Sequence, residues 1–588
     1  MTLEKEMKKG NPDTTPAIDF IIVYGSETGT AQDFAYSLAH KCRYLSLNPL
    51  VCAMDSLDLK LLFDVKTLLL ICSTTGQGEL PRNCRKFFKF LMQRKLPKDF
   101  LEHISFSTCG LGDSSYVFYN LAIRKFHARI KQLGAKELCE RVECDEQAPE
   151  GQESYFDSWE KLVFHSLKVK YASKVKELPP TSILEPVFKI SIRANDKVAD
   201  KPSPLTRTQD MTTVTIDKID RITSPNHFQE VLHIKLSDSK KSLDYHVGDT
   251  VSLYPENNPK DVQSFINLQG WNEIADAPLD LEAPEHLAPQ AGWVKNLTLR
   301  ALLTYHLDIM AVPPRSFFQL VWHFAEDERE SEKLLELSRI EESQQLYNYV
   351  NRSRRSILEV IQEFFSLKIP IEQLLECIPL IKPRLFSICN TPTKEFVELT
   401  VAVVEYKTAI RRLRKGLCTT WLKRKNVGDQ IIISVQQNNL KIPDTGMVLV
   451  GPGTGIAPIR AIIQYNNEKH KEGKGQEYLL FTGHRHSEKD YLFGEEWPHM
   501  KGLEVVKSFS RQGGGYVQDA IWKNKNKVSK VLNKGGGMYL CGSSGKMPTQ
   551  VRLTIEQILK ESNNWDEETA KKEMLKMEKE KRYIQETW

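Results

Sequence analysis

The sequence lacks the features that mark several large classes of protein. None of its eleven cysteines belongs to a Cys-x-x-Cys pair, so reduced thiols in the cytosol fit better than a disulfide framework or a zinc site. No run of about 18 apolar residues occurs, which argues against a membrane-spanning helix. The polar residues 1–16 show neither the apolar centre of a signal peptide nor a membrane anchor. We therefore expect a cytoplasmic protein, with association with mitochondria left open.

A large excess of charge of either sign is also missing. The net charge of +5 is small for 588 residues and provides no argument for nucleic-acid binding. Hydrophobic residues make up 40% and charged residues 27% of the chain, which are ordinary values for globular proteins. At about 100 to 200 residues per domain, this length predicts three or four domains that each bury a core.

What the sequence does contain is two phosphate-binding loops of different design. The first loop consists of Ser26, Glu27, Thr28, Gly29 and Thr30. It lies before a helical pattern over 31–41, so its hydroxyls and amides would meet one terminal phosphate at a helix N-terminus. The second loop, 451–455, follows an apolar strand over 447–450, and its glycines would let the backbone approach a diphosphate or a ribose.

Neither loop carries the lysine followed by Ser or Thr that defines a Walker motif, so the sequence argues against an NTPase. Two loops of different design indicate two different phosphorylated cofactors. A chain that binds both is most simply an enzyme that relays electrons between cofactors.

The first block of the chain, 17–167, alternates apolar strands with amphipathic helices. Strands are predicted at 20–24, 67–72 and 103–109, each followed by a loop rich in small and hydroxyl residues. Because the carboxyl ends of parallel strands meet at one crevice of a doubly wound sheet, the three loops predict one composite site. Residues 168–210 lose this periodicity, and their Lys, Pro, Ser and Thr content predicts a flexible linker.

The second block, 211–439, begins with β-type alternation and returns to strands near 384–388. Between them, about 256–378 is helical and apolar-periodic, which predicts a β-barrel interrupted by a helical insertion. The third block, 440–588, alternates strands and helices again and carries the second phosphate loop. It predicts a second α/β domain.

These blocks, in this order, resemble the diflavin reductases, of which cytochrome P450 reductase is an example. The resemblance covers nearly the whole chain and implies a flavodoxin-like FMN domain, an FAD-binding β-barrel and a ferredoxin-reductase-like NADP-binding α/β domain. It implies an enzyme that passes electrons from NADPH through FAD and FMN to a protein acceptor. The missing anchor, the short first linker and the loop 73–78 are most similar to the cytosolic members that serve iron–sulfur protein assembly, so the implied acceptor is an iron–sulfur protein.

The resemblance assigns the first phosphate loop to FMN and adds residues at the isoalloxazine edge. These additional residues are Ser73, Thr74, Thr75, Gly76, Gln77, Gly78, Leu111, Gly112, Asp113, Tyr116, Tyr119, Asn120 and Asp145. Tyr116 is implied to stack on the ring. Thr75 stands where P450 reductases have a second stacking tyrosine, so one face of FMN is expected to be less covered. Without the resemblance, the phosphate loop is also consistent with a simple helix cap, and Tyr116 with a buried core residue.

Two motifs in the second block are implied to bind FAD. The first is Arg384, Leu385, Phe386 and Ser387, and the second is Gly416, Leu417, Cys418 and Thr419. The resemblance implies that Arg384 pairs with the diphosphate, Phe386 packs on the flavin and Ser387 bonds near its N5. Thr419 is implied to contact the pyrophosphate through its side chain. By itself, the first motif is weak, and it usually indicates a salt bridge at a strand end; its position before 416–419 is what favours FAD binding.

The third block is implied to bind NADPH. The residues are Gly453, Thr454 and Gly455 in the loop, and Ser510, Arg511, Tyr516 and Gln518 around the adenosine 2′-phosphate. A guanidinium pairs with phosphate and an aromatic ring packs on adenine, which fits this pocket. Glycines 513–515 stand where many relatives carry a lysine, so discrimination against NADH is expected to be weaker. The alternative for Ser510 and Arg511 is an ordinary solvated surface pair.

A set of residues is implied at the hydride-transfer site, namely Ser387, Cys541, Glu586 and Trp588. A cysteine at the end of a buried strand is commonly just a small hydrophobic residue, and a terminal tryptophan commonly frays. The resemblance instead implies that Cys541 lies beside the nicotinamide and that Trp588 covers the flavin face. Two alternatives remain open at this point: a reductase for cytochrome P450, methionine synthase or sulfite reductase, and a non-catalytic flavin-binding scaffold.

Charge is unevenly distributed in the first block. Seven acids and no Lys or Arg lie between 143 and 160, whereas 82–98 is rich in Lys and Arg. The acids are Glu143, Asp145, Glu146, Glu150, Glu153, Asp157 and Glu160. This polarity predicts a surface that steers a charged acceptor, although two solvated helix faces would look the same in sequence.

Overall fold

The computed structural model describes residues 18–27, 29–75, 78–114, 116, 118–148, 151–179, 181–193, 210–283, 292–438 and 440–587. The chain forms two compact units. The first comprises 1–189, 283–287 and 313–347, and the second comprises 190–282, 288–312 and 348–588. A segment from within the predicted helical insertion therefore belongs to the same unit as the first block of the chain.

The first block forms a parallel sheet covered by helices. Its elements are β1 (Phe20–Gly25), α1 (Thr30–Arg43), β2 (Pro49–Ala53), β3 (Thr67–Ser73), α2 (Arg85–Leu91), β4 (Ser105–Gly112), α3 (Leu121–Gln132), β5 (Lys136–Glu137), β6 (Val142–Asp145) and α4 (Gln152–Lys170). The strand order is β2-β1-β3-β4-β5, with β6 paired to β4. This is the order of a flavodoxin-like sheet, whose ligand crevice opens between β1 and β3.

The apolar runs explain why these strands occupy the centre of the sheet. Every residue of β1 is buried, as expected for a strand covered on both faces. Its odd and even residues contribute to two separate cores, with Ile21 and Val23 in one core and Ile22 and Tyr24 in the other. The sheet thus brings the loops after β1, β3 and β4 to one edge.

The second block forms an antiparallel barrel with a helical insertion. Strand β7 (Lys189–Ile192) precedes this block. The elements of the block, in chain order, are β8 (Met211–Arg221), β9 (Val231–Ser237), β10 (Thr250–Leu253), α5 (Pro259–Gln269), β11 (Leu279–Glu282), α6 (Leu299–Tyr305), α7 (Arg315–Val321), α8 (Glu328–Ser338), α9 (Ser343–Leu346), α10 (Ile357–Glu363), α11 (Leu374–Cys377), β12 (Arg384–Ser387), β13 (Phe396–Ala402), β14 (Glu405–Lys407), β15 (Leu413–Lys415), α12 (Leu417–Lys423) and β16 (Gln430–Gln436). Six strands follow the order β12-β10-β16-β8-β9-β13. A bridge between Ile388 and Leu399 joins the two ends of this sheet and nearly closes the barrel. The predicted barrel with a helical insertion is confirmed.

The third block forms a second parallel sheet. Its elements are β17 (Met447–Val450), α13 (Ile456–Lys471), β18 (Tyr478–His484), β19 (Leu503–Phe509), α14 (Val517–Lys523), α15 (Lys525–Asn533), β20 (Gly537–Gly542), α16 (Lys546–Asn563), α17 (Glu567–Lys579) and β21 (Tyr583–Thr587). The order is β19-β18-β17-β20-β21. The direction of winding reverses between β17 and β20, and ligands of such sheets bind at that point. Among the described residues, the helices are all too short or too polar to span a membrane.

Candidate functional site

The first phosphate loop is held by hydrogen bonds on its protein side. The Gly29 amide donates to Ser26 Oγ at 2.9 Å, and the Ser26 amide donates to Asn83 Oδ1 at 2.9 Å. Glu27 forms an ion pair with Arg82 at 3.2 Å. Gly29 has a φ of 111°, a conformation that favours glycine, and α1 begins at the next residue, Thr30. The described residues of the loop are therefore fixed by hydrogen bonds next to a helix N-terminus.

Hydrogen bonds join the first loop to the second and the second loop to the third. Ser73 Oγ donates to the Gly25 carbonyl at 3.3 Å, and the Thr74 amide donates to the Leu111 carbonyl at 2.9 Å. The strands that carry these loops are neighbours, with Gly25 opposite Cys72 and Ser73 opposite Leu111. The structure thus brings the three predicted loops together at the β1–β3 crevice and the adjacent end of β4.

Backbone pairing joins the two described ends of the loop after β3. Thr75 and Glu79 exchange two backbone hydrogen bonds, at 3.1 and 2.8 Å. Gly78 has a φ of +80°, and a Cβ there would lie 2.6 Å from Phe118 Cβ. Only glycine fits at this position, because the backbone packs directly on the loop after β4.

The loop after β4 is shaped by Asp145 and Asn120. Asp145 Oδ1 accepts hydrogen bonds from the Ser114 amide at 2.9 Å and the Gln147 amide at 3.0 Å. Burial disfavours the charged carboxylate, but these hydrogen bonds outweigh it and lower the pKa of Asp145. Tyr116 in this loop is 42% exposed, so its ring has room to stack on a ligand. Asp145 supports the loop rather than facing solvent.

Asn120 is fully buried at the start of α3, with a φ of 53°. Its amide nitrogen donates to the Cys144 carbonyl at 3.1 Å, while its side-chain oxygen has no hydrogen-bond partner among the described residues. The neighbouring Tyr119 hydroxyl donates to the Glu143 carbonyl at 2.8 Å. A glycine at 110 is required because a Cβ there would lie 2.6 Å from the Asn120 oxygen. The buried oxygen and the glycine-lined surface fit a ligand with hydrogen-bond donors, such as a flavin ring.

The acidic run is not a continuous free surface, contrary to the expectation from sequence. Glu160 is 4% exposed and forms an ion pair with Lys41 at 2.5 Å. Glu143 pairs with both Arg124 and Arg141, Glu153 pairs with Arg315 at 2.6 Å, and Asp157 pairs with Lys161. Glu150 lies outside the described residues. Over its described residues, the run is therefore largely held in ion pairs rather than free to face an acceptor.

The flavin motif of the second block lies on β12 at one end of the barrel. Ser387 is opposite Thr250, and Phe386 is opposite Val251. Arg384 Nη2 lies 3.9 Å from Asp308. Burial raises the pKa of Asp308, and the guanidinium of Arg384 partly opposes this rise. Leu385 is exposed on the other face of the strand. Among the described residues, the ionic contacts and hydrogen bonds of the Arg384 side chain are this long one and a bond to the Lys382 carbonyl, so the side chain can turn to a diphosphate.

The second FAD motif begins helix α12 with Gly416 as its N-cap. Burial raises the pKa of Cys418 to about 12, and the nearby Arg384 opposes this shift. The Thr419 hydroxyl is buried and accepts a hydrogen bond from the Val404 amide at 3.1 Å. In this conformation, the loop presents backbone amides of a helix N-terminus rather than the Thr419 side chain.

The second phosphate loop and the predicted hydride site meet where the winding of the third sheet reverses. Gly455 packs so closely that a Cβ would lie 2.0 Å from the Cys541 carbonyl oxygen. Cys541 is opposite Glu586 in the β20–β21 register, and the Tyr539 hydroxyl donates to Glu586 Oε2 at 2.7 Å. Burial, reinforced by the Glu586 charge, holds the pKa of Cys541 well above its ordinary value. Cys541 is therefore a neutral thiol at physiological pH.

The predicted 2′-phosphate pocket lies at the ends of β18 and β19. The Ser510 amide donates to the His484 carbonyl at 2.9 Å, and the Arg511 amide donates to the Arg485 carbonyl at 3.1 Å. The Arg511 side chain is exposed, and Tyr516, which caps α14, is 62% exposed. Gln518 is half-buried in the first turn of α14. This segment therefore exposes both a cation, Arg511, and an aromatic ring, Tyr516.

Some predicted site residues lie outside the described residues, namely Thr28, Gly76, Gln77 and Trp588. Other residues were missed by the sequence argument. Tyr539 could have been found, because it lies two residues before Cys541 on the same face of a strand. Asn83 and Arg82, which hold the first phosphate loop, gave no signal because they are distant from it in sequence.

Comparison with known proteins agrees with this geometry. Three family profiles match in chain order: one described as "Flavodoxin" at 22–159, one as "FAD binding domain" at 204–421 and one as "Oxidoreductase NAD-binding domain" at 449–552. Each profile covers one of the three structural blocks. The cofactors expected from sequence, FMN, FAD and NADPH, are therefore supported by independent matches.

Curated relatives match over nearly the full length of the chain. The NADPH-dependent diflavin oxidoreductase 1 of Debaryomyces hansenii is 44% identical over 96% of this chain and 98% of its own length. The proteins of the same name from Candida albicans and Saccharomyces cerevisiae are 41% and 40% identical, each over 97% of this chain and at least 99% of their own lengths. The chain belongs to the family of NADPH-dependent diflavin oxidoreductases, and it is an enzyme whose cofactors are FMN, FAD and NADPH.

Proposed function

We propose that the chain reduces an iron–sulfur protein of cytosolic iron–sulfur cluster assembly. When bound, the cofactors supply the redox chemistry, which is hydride acceptance from NADPH at FAD and one-electron delivery from FMN. The electron-transfer part of this proposal is supported by the close packing of Gly455 on the Cys541 carbonyl, where the nucleotide loop meets residues proposed for hydride transfer. The iron–sulfur acceptor is inferred from the family to which the chain belongs.

We assign FMN to the crevice built by the loops after β1, β3 and β4. The amides at the start of α1 would hold the phosphate, since a helix N-terminus favours an anion. The exposed Tyr116 ring would stack on the flavin, and the buried Asn120 oxygen would accept a hydrogen bond from it. Thr75 offers no aromatic surface on the opposite side, which leaves one face of the flavin more accessible.

We assign FAD to Arg384, Ser387 and the N-terminus of α12. Arg384 would pair with the diphosphate together with the amides near Gly416. Ser387 and the Cys541 thiol would orient the reacting rings, and Glu586 would hold a proton near them through its bond to Tyr539. Arg511 and Tyr516 would read the adenosine end of NADPH.

The proposed domains are 17–167 for FMN, 211–439 for FAD with the insertion at about 256–378, and 440–588 for NADPH. Residues 168–210 would connect the first two. This region includes the end of α4 and strand β7, whereas 180 and 194–209 lie outside the described residues. We also propose a cytoplasmic location, which a soluble iron–sulfur acceptor requires.

The acceptor assignment is tested by direct electron transfer. The full chain with both flavins is mixed without oxygen with NADPH and an iron–sulfur protein of the cytosolic assembly machinery, and the cluster absorption is followed. We expect the cluster to be reduced at a rate that saturates with acceptor concentration. Cytochrome c, a permissive acceptor, serves as the control for activity. If cytochrome c is reduced while the cluster stays oxidised, the acceptor is a different protein, such as a cytochrome P450, methionine synthase or sulfite reductase.

A further inference from the structure

A buried cluster of charged residues lies between the barrel and the third sheet, around Arg460 of helix α13. Arg460 is 6% exposed, and its guanidinium makes hydrogen bonds on all sides. Nε and Nη2 donate to the two carboxylate oxygens of Glu496 at 2.8 and 2.9 Å. Nη1 donates to Glu398 Oε2 at 2.7 Å and to the Cys389 carbonyl at 2.8 Å. Every nitrogen of the guanidinium is therefore used.

Two carboxylates, those of Glu398 and Glu496, form ion pairs with the single guanidinium of Arg460. Glu398 also accepts a hydrogen bond from His233 Nε2 at 3.2 Å. Burial by itself would favour the neutral acid, but the bonds from His233 and Arg460 lower the pKa of Glu398 to about 2. His233, Cys389 and Glu398 bring their side-chain ligand atoms within 4.8 Å of one another, a spacing that would suit a metal ion. In this structure, the positive charge next to Glu398 comes from the Arg460 guanidinium.

Helix α13 contacts the barrel along one stripe. Gln464 Oε1 accepts a hydrogen bond from the Thr391 amide at 3.2 Å, and Glu468 Oε1 accepts one from the Thr391 hydroxyl at 3.1 Å. Together with Arg460, these residues are spaced four apart, so they lie on one face of the helix. All three contact the segment 389–391.

Helix α13 and the segment 389–391, which contact each other here, each continue into one of the two proposed cofactor sites. The segment 389–391 follows β12 without a break, and β12 carries the proposed flavin contact Ser387. Helix α13 follows the nucleotide loop without a break, and its N-cap is Gly455. Arg460 thus lies about one helical turn after the nucleotide loop. It contacts the barrel at Cys389, two residues after the end of β12. The same segment closes the barrel, because the Cys389 amide donates to the Glu398 carbonyl at 2.9 Å.

We propose that Arg460 is a positioning residue that sets the distance between the nicotinamide and the flavin for hydride transfer. This proposal rests on the assignment of FAD to β12 and of NADPH to the loop 451–455. Hydride transfer requires the reacting atoms to lie at near-contact distance, and a misplacement of about 1 Å can lower the rate by about 100-fold. Arg460 touches neither cofactor loop, so it acts through the rigid helix and strand that carry them.

The variant Arg460→Lys tests the proposal, since lysine keeps the charge but cannot bridge Glu496, Glu398 and the Cys389 carbonyl at once. We expect kcat for NADPH-driven ferricyanide reduction to fall by about 10- to 100-fold, while KM changes by less than about 3-fold. The isotope effect with NADPH deuterated at the transferred position should rise, because hydride transfer becomes the slow step. In the flavin-free protein, hydrogen exchange should increase in 388–391 and in 451–456.

The matched control is Arg552→Lys in α16 of the same sheet domain. Arg552 is also partly buried and contacts two acids, Glu556 at 3.4 Å and Glu578 at 3.1 Å. Its partners lie on α16 and α17, away from both cofactor loops, so kcat and the isotope effect should stay at wild-type values. Equal losses in the two lysine variants would overturn the positioning role and indicate general destabilisation.

If Arg460→Lys fails to retain FAD, Gln464→Leu decides the question, since it removes only the bond to the Thr391 amide. A decrease in kcat with an increased isotope effect supports the proposal, whereas an unchanged rate and isotope effect overturn it. Failure of the wild-type protein to reduce its flavin with NADPH would instead refute the cofactor assignments on which the proposal rests.

Discussion

Replacing Gly455 with alanine should nearly abolish reduction of the flavin by NADPH. The added Cβ would lie 2.0 Å from the Cys541 carbonyl oxygen, 2.7 Å from its carbon and 2.9 Å from Gly542 Cα. Ordinary contacts begin near 3.4 Å, and all three neighbours are backbone atoms of a buried strand, so the loop must move by more than about 1 Å. A displacement of that size lowers the rate of hydride transfer by about 100-fold or more.

The control for this prediction is Gly453→Ala in the same loop. Gly453 has a φ of +56°, but nothing lies within 4 Å of a Cβ placed there. The substitution therefore costs only backbone strain of about 1 to 2 kcal/mol, which corresponds to a factor of about 5 to 30 in the ratio of folded to unfolded protein. The two variants thus separate the effect of a steric clash, at Gly455, from that of backbone strain, at Gly453.

Both variants are measured by mixing the oxidised enzyme with NADPH in the absence of oxygen and following the flavin absorption. At saturating NADPH, Gly453→Ala should recover most of the wild-type rate, whereas Gly455→Ala should not. Retention of FAD and FMN in both proteins excludes misfolding. If Gly455→Ala reduces its flavin at the wild-type rate, the close contact with Cys541 is not part of the hydride site.

The remaining predictions address the other cofactors and the pH dependence. Tyr116→Ala should release FMN while FAD stays bound, because only the first crevice loses aromatic area. Ferricyanide reduction should therefore survive while cytochrome c reduction falls. Parallel loss of both activities would contradict the assignment. Arg511→Ala should raise KM for NADPH by about 10- to 150-fold with little effect on NADH, and equal effects would exclude 2′-phosphate recognition. The lowered pKa of Glu398, about 2 against an ordinary 4.5, stabilises the fold above pH 4.5, and this contribution is lost as the pH falls towards 2. It amounts to about 3 kcal/mol at neutral pH, so thermal unfolding should show Glu398→Gln clearly less stable than wild type at pH 7 and nearly equal to it only near pH 2.

Local pattern was sufficient to predict the two parallel sheets and the barrel. The runs that became β1, β3 and β17 are apolar throughout, and strands of that kind must be covered on both faces. The glycines of the phosphate loops signalled close approach of the backbone, and the structure shows this directly at Gly455. The sequence determined these features because each depends on a few consecutive residues.

Pairing between distant residues was decided only by the tertiary structure. The acidic run looked like a free surface, yet Glu160 pairs with Lys41 and Glu153 with Arg315, which are 119 and 162 residues away. Likewise, no sequence pattern around Arg460 indicates that its hydrogen-bond partners are Glu398 and the Cys389 carbonyl. A side chain's charge is a local property, but its partner depends on which elements the fold packs together, and that packing is set by the burial of apolar surface over the whole chain.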